Sequence, residues 1–194
     1  MKKVAVVFAD GCEEVEGLSM IDVLRRLGVQ ADMVGLNSTA VNGAHNIKLT
    51  CDKTVDESLL DYDIVAFPGG ATGAENLRDN EKLADLMVKR HEEGKWDAAM
   101  CAAPIALARY GVIADANYTC YPGFDKQTKK DAPSGHFKEN ITVTDDQHKI
   151  ITSRGPATAW AFAYAIAEAL GINTKDLKAG MLYDYLAENI QDSL

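Results

Sequence analysis

Residues 3–28 read KVAVVFADGCEEVEGLSMIDVLRRLG, and the change of rhythm inside this stretch decides the fold. Lys3–Ala9 is an almost unbroken apolar run, short enough for a buried strand and cut by Asp10-Gly11. From Glu13 to Leu27 the period switches. Val15, Leu18, Ile21, Val23, Leu24 and Leu27 fall on or near one face of a helix, which Gly28 stops. Gln30–Leu36 then reads as a second strand. Strand, helix and strand in this order open a parallel sheet covered on both faces.

The same alternation continues outward. Tyr62–Phe67 reads as a buried strand ending in Pro68-Gly69-Gly70, Asn80–Glu93 as a helix, Asp97–Met100 as a short strand and Ala102–Tyr110 as the next helix. Asn117–Tyr121, Ile141–Thr144 and Lys149–Thr152 give further strands. Pro156 suits the first position of a helix running to about Leu170, because its missing N–H costs least there. A last helix spans roughly residues 175–190. Asn42-Gly43 is a hairpin signal, so residues 39–52 are expected to form a short antiparallel excursion at the sheet edge. The expectation is an α/β protein: a flavodoxin-like, doubly wound, mostly parallel sheet sandwiched by helices, with a small edge hairpin, in one domain over residues 1–194.

Composition narrows the function. The chain has 194 residues, 47% of them hydrophobic, enough for one sizeable core. A net charge of −9 with scattered acidic residues argues against nucleic acid or an anionic membrane as partner. No stretch approaches the ~20 apolar residues of a membrane helix. Val4–Ala9 is too short for a secretory core, so a cytoplasmic location is expected. The four cysteines, Cys12, Cys51, Cys101 and Cys120, are far apart with no C-x-x-C pair, which favours reduced thiols over a disulfide frame or a zinc site.

Sites in open α/β sheets form beyond the carboxyl ends of the strands. Three segments with unusual residues arrive there: Asp10–Glu16, Pro68–Gly73 and Met100–Pro104. Cys101 sits between a strand and a helix, with the small Ala102 and Ala103 behind it. A nucleophile on such a sharp turn is presented at the top of the sheet, and the following helix N-terminus should lower its pKa. An isolated cysteine is more often a buried core residue; the turn position reverses that balance. Gly69 and Gly70 offer unobstructed backbone N–H groups for an oxyanion. Among the acidic residues of the first helix, Glu13 and Glu14 are accounted for by the helix dipole. Glu16 is the candidate to turn inward and hold a proton beside the sulfur. None of His45, His91, His136 and His148 adjoins Cys101 in sequence.

Four motifs occurring in order, Asp10-Gly11-Cys12-Glu13-Glu14-Val15-Glu16, Phe67-Pro68-Gly69-Gly70, Ala99-Met100-Cys101-Ala102-Ala103-Pro104 and Thr152-Ser153-Arg154-Gly155-Pro156, resemble the ThiJ/PfpI superfamily and, within it, the parkinsonism-associated deglycase branch. The resemblance reaches to about Leu170. It implies an oxidisable Cys101, a protonated Glu16 bonded to it, N–H donors at Gly70 and Ala102, and Arg154 near the pocket mouth. It further implies a homodimer, no cofactor, no metal, and activity on small aldehydes. Ala102 stands where protease-like members have a histidine, so peptidase activity is not expected. Tyr121-Pro122 replaces a pocket histidine before proline, and His45 replaces a hairpin arginine. Two functions follow: a cysteine-dependent glyoxalase or deglycase acting in oxidative stress, or a redox sensor working through oxidation of Cys101.

Overall fold

A computed structural model describes residues 1–190. The strands are β1 (Lys3–Phe8), β2 (Gln30–Gly35), β3 (Ala40–Asn42), β4 (Lys48–Thr50), β5 (Lys53–Thr54), β6 (Ile64–Phe67), β7 (Trp96–Met100), β8 (Asn117–Tyr118), β9 (His136–Phe137), β10 (Thr142–Asp145) and β11 (Ile150–Ser153). The helices are α1 (Glu14–Arg26), α2 (Ala71–Arg78), α3 (Glu81–Glu92), α4 (Pro104–Arg109), α5 (Asp125–Asp131), α6 (Ala159–Ala169), α7 (Lys175–Gly180) and α8 (Tyr183–Asn189).

Seven strands form one sheet in the order β10-β11-β7-β6-β1-β2-β5, parallel except for β10. This is the doubly wound, flavodoxin-like sheet expected. Its centre is wholly apolar: Val4–Phe8 of β1 and Ile64–Phe67 of β6 are completely buried, as two-sided helix cover requires. The strand order reverses direction around β1, so the carboxyl ends of β1 and β6 flank the switch-point crevice where such folds bind ligands.

The structure departs from the sequence reading at the periphery. The hairpin β3–β4 is a separate two-stranded sheet, and residues 43–47 link its strands, with Asn46 at a φ of 62°. Asn42 ends β3, so Asn42-Gly43 is not the centre of a two-residue turn. The edge of the main sheet is β5 instead. β8 also leaves the main sheet and pairs with β9. Pro156 opens a short 3-10 turn, Pro156–Thr158, and α6 begins only at Ala159. The expected last helix is two, α7 and α8, broken where Leu182 adopts a left-handed φ of 58°.

Candidate active site

Cys101 is the first residue beyond β7, and its φ of 60° puts it in the left-handed region, where a side chain is strained. Such a residue costs about 1–3 kcal/mol and persists only where its surroundings fix it. Two backbone bonds do so: Cys101 N–H donates to the Ser153 carbonyl (2.9 Å), and its own carbonyl accepts from Tyr121 N–H (2.8 Å). The turn thus places Cys101 between β7 and α4, with the residue 8% exposed.

α1 brings Glu16, fully buried, to the same place. One carboxyl oxygen, Oε2, accepts from Gly69 N–H at 2.6 Å; the other, Oε1, is buried with no hydrogen-bond partner, and the carboxyl as a whole interacts with the Cys101 side chain. Burial raises the Glu16 carboxyl to about 7 against the pull of Gly69 N–H, so it exchanges its proton near neutrality. Burial also pushes the Cys101 thiol up, as does the Glu16 charge, while the N–H groups of Gly70 and Ala102 pull it back. The expectation of a thiol depressed by the helix N-terminus therefore yields to burial. α4 has only six residues and starts three positions beyond the sulfur.

The glycines are required by close approach. A Cβ on Gly69 would lie 2.6 Å from the Cys101 Cβ and 2.9 Å from Glu16 Oε2; Gly70 has a φ of +84° and packs against the carbonyl of Gly11. Of the three backbone donors inferred from sequence, Gly70 and Ala102 serve the sulfur, whereas Gly69 serves Glu16.

The three peripheral residues are placed differently. Tyr121 flanks Cys101 through its backbone and is 45% exposed, its ring edge-on to Phe124. Arg154 is half-buried: its guanidinium lies over the Phe137 ring at 5.9 Å, Nη1 is buried without a partner, and its charge is felt at Cys120. His45 is not at the thiol. Its N–H and its ring Nδ1 each meet the Glu14 carboxylate at 2.8 Å, which pins the β3–β4 loop onto α1. Glu14 is thereby buried, which the dipole reading had not foreseen. Burial raises its pKa, but the bonds from His45 outweigh this and hold it below the usual range. Glu13, Glu14 and His45 have ligand atoms within 4.8 Å of one another and could share a cation, although His45 already occupies the Glu14 oxygens. Cys12, Cys51 and Cys120 are free and buried; burial raises the first to about 12, the second to about 11 and the third to about 12.

Comparison with known proteins identifies the family and the fold. The model of the DJ-1/PfpI family matches residues 2–169. The Drosophila melanogaster protein dj-1beta is 34% identical over 188 residues, covering 95% of this chain and 98% of the relative. Its crystal structure superposes with a TM-score of 0.86 at 33% identity, over 93% of this chain and 97% of that one. The Caenorhabditis elegans glutathione-independent glyoxalase DJR-1.2 is 30% identical over 165 residues, covering 83% of this chain and 84% of the relative. A structure of oxidized Toxoplasma gondii DJ-1 has a TM-score of 0.83 at 31% identity, over 94% of this chain and 98% of that one.

Proposed function

Because the chain belongs to the DJ-1/PfpI family, we propose that it is a cofactor-independent glyoxalase of the deglycase type. It converts small α-oxoaldehydes to hydroxy acids on Cys101, in a cytoplasmic stress response. The observation that carries this reading is the pairing of a buried, proton-exchanging Glu16 with a strained, buried Cys101. A relative of similar length is named as a glutathione-independent glyoxalase.

The Cys101 sulfur attacks the aldehyde carbon of R–CO–CHO, forming a C–S bond and opening the C=O π bond. The proton shared by thiol and carboxyl passes to the new alkoxide, giving a hemithioacetal. Gly70 and Ala102 N–H groups lie at the sulfur and steady the oxyanion. As a carboxylate, Glu16 removes the proton from the carbon bonded to sulfur. The enediol accepts a proton at the neighbouring carbon, leaving a thioester. Water cleaves it to the hydroxy acid and frees the thiol. The sum is R–CO–CHO + H₂O → R–CH(OH)–COOH, with no net oxidation. Cys101 is only 8% exposed, which favours small aldehydes over a protein side chain as first substrate.

The test is lactate formation from methylglyoxal without glutathione, followed by proton NMR. Wild type forms lactate; Cys101→Ala and Glu16→Gln lose it by at least about a hundredfold, as expected for a nucleophile and its acid–base partner. Full turnover by Cys101→Ala would overturn the mechanism. A second reading is a redox sensor. It draws on the same N–H donors, which could hold a cysteine oxyacid, and on the oxidized state of the Toxoplasma relative. Wild type forming no lactate but gaining oxygen at Cys101 under mild peroxide would favour it.

A further inference from the structure

The surroundings of Cys101 are lopsided. On the β6 side the sulfur is closed in by Glu16, by the Gly69 backbone and by Gly70, with no room for even a methyl group on Gly69. A substituent on a bound aldehyde cannot extend that way. On the β11 side stands Tyr121. Three anchors fix the segment carrying it. Thr119 N–H donates to Thr152 Oγ1 (2.8 Å), Tyr121 N–H donates to the Cys101 carbonyl (2.8 Å), and Phe124 N–H donates to the Tyr121 carbonyl (3.1 Å). The Tyr121 ring lies over Gly155, where a Cβ would come within 3.1 Å of it, and meets Phe124 edge-on at 6.4 Å. A neighbouring strand end and an aromatic partner thus hold the ring, yet 45% of the residue faces solvent. A half-exposed aromatic ring that is held against Gly155 and Phe124, on a residue whose N–H bonds the Cys101 carbonyl, can stack a flat ligand with little ordering cost.

We propose that Tyr121 is a specificity-determining wall that directs Cys101 toward aldehydes and ketones bearing a flat, aryl substituent in preference to a methyl group. The inference rests on Cys101 attacking a carbonyl compound but not on the later glyoxalase steps. With the carbonyl oxygen at the Gly70 and Ala102 N–H groups, the substituent leaves the closed β6 side and lies against the Tyr121 ring. The phenol hydroxyl is not required; the ring face is.

The experiment uses two electrophiles that differ only in this substituent, phenacyl bromide and bromoacetone. Each is attacked by the thiol with loss of bromide, and peptide mass analysis reads the adduct at Cys101. The phenacyl-to-acetone rate ratio, divided by the same ratio for N-acetylcysteine, is expected to be three- to tenfold above one, roughly what a stacked ring pair supplies. Tyr121→Phe keeps the preference; Tyr121→Ala and Tyr121→Leu lose it. In turnover, the ratio of kcat/KM for phenylglyoxal over methylglyoxal falls in the same two variants. An unchanged ratio in Tyr121→Ala and Tyr121→Leu overturns the inference, as does a wild-type ratio no higher than that of free thiol. Wild type that turns over neither glyoxal but keeps the alkylation preference overturns the glyoxalase reading and upholds this one.

Discussion

Glu16 and Cys101 are both buried and in contact, so their protons come off as a pair. Below about 7 the carboxyl and the thiol are both protonated. Above it the pair holds one proton, which either atom can carry. Thiolate first appears in that singly protonated state, as the tautomer with the proton on Glu16. Alkylation of Cys101 by iodoacetamide should therefore rise with pH through an apparent pKa near 7. In Glu16→Gln one of the two routes to proton loss is gone, so the step moves to higher pH; a step that stays put would show that Glu16 does not share the proton. Much of this site was legible in sequence, because strand ends announce where a nucleophile and its partner must stand. The assignment of adjacent donors was not, since nothing in Gly69-Gly70 says which N–H faces carboxyl and which sulfur. The burial of Glu14 was also hidden, because the cover comes from His45 on a loop thirty-one positions away.

At the level of elements, the central strands were readable because β1 and β6 are apolar runs that fit only a two-sided burial. The short outer elements were not. α5 reads DKQTKKD and buries only Thr128, so it leaves no periodic trace. β8 is instead secured by one carboxylate. Asp145 Oδ2 accepts from Asn117 N–H (2.8 Å) and Nδ2 (2.9 Å), and Oδ1 accepts from His148 N–H (2.9 Å) and meets its Nδ1 at 3.0 Å. Burial alone would raise the Asp145 pKa; these bonds outweigh it and hold the group at about 2 against 3.8 unfolded. A depressed carboxyl stabilises the fold above its unfolded pKa and loses that contribution as pH falls toward the folded one. The contribution is about 2 kcal/mol. The stability gap between wild type and Asp145→Ala, measured by urea unfolding, should shrink by about that amount between pH 5 and pH 2. A gap independent of pH would mean that packing rather than charge is lost. The buried pair Arg90–Asp97 is a similar hidden support: Arg90, fully buried, donates to the carbonyls of Leu59, Tyr62 and Trp96 as well as to Asp97. In sequence it looks like an ordinary charged helix residue.

Over the whole molecule, no helix among the described residues is long and apolar enough to cross a membrane, and the apolar side chains left exposed call for another explanation. Val15 (53% exposed) and Leu18 (39%) are three apart on α1 and share its outer face. Ile47 (50%) lies on the β3–β4 loop that His45 ties to the start of α1. Trp160 is exposed on α6, which packs along α1. Single exposed apolar residues are ordinary, but several on adjoining elements mark an interface. The expected occupant is a second copy of the chain. Wild type should run at twice the chain mass in light scattering at micromolar concentration, and Val15→Glu or Leu18→Glu should run as a monomer with unchanged circular dichroism. Because Val15 and Glu16 are consecutive on the first turn of α1, a second copy on the outer face is expected to brace the inner carboxyl. The monomeric variants should then alkylate Cys101 with a shifted apparent pKa, while a wild-type monomer would overturn the dimer.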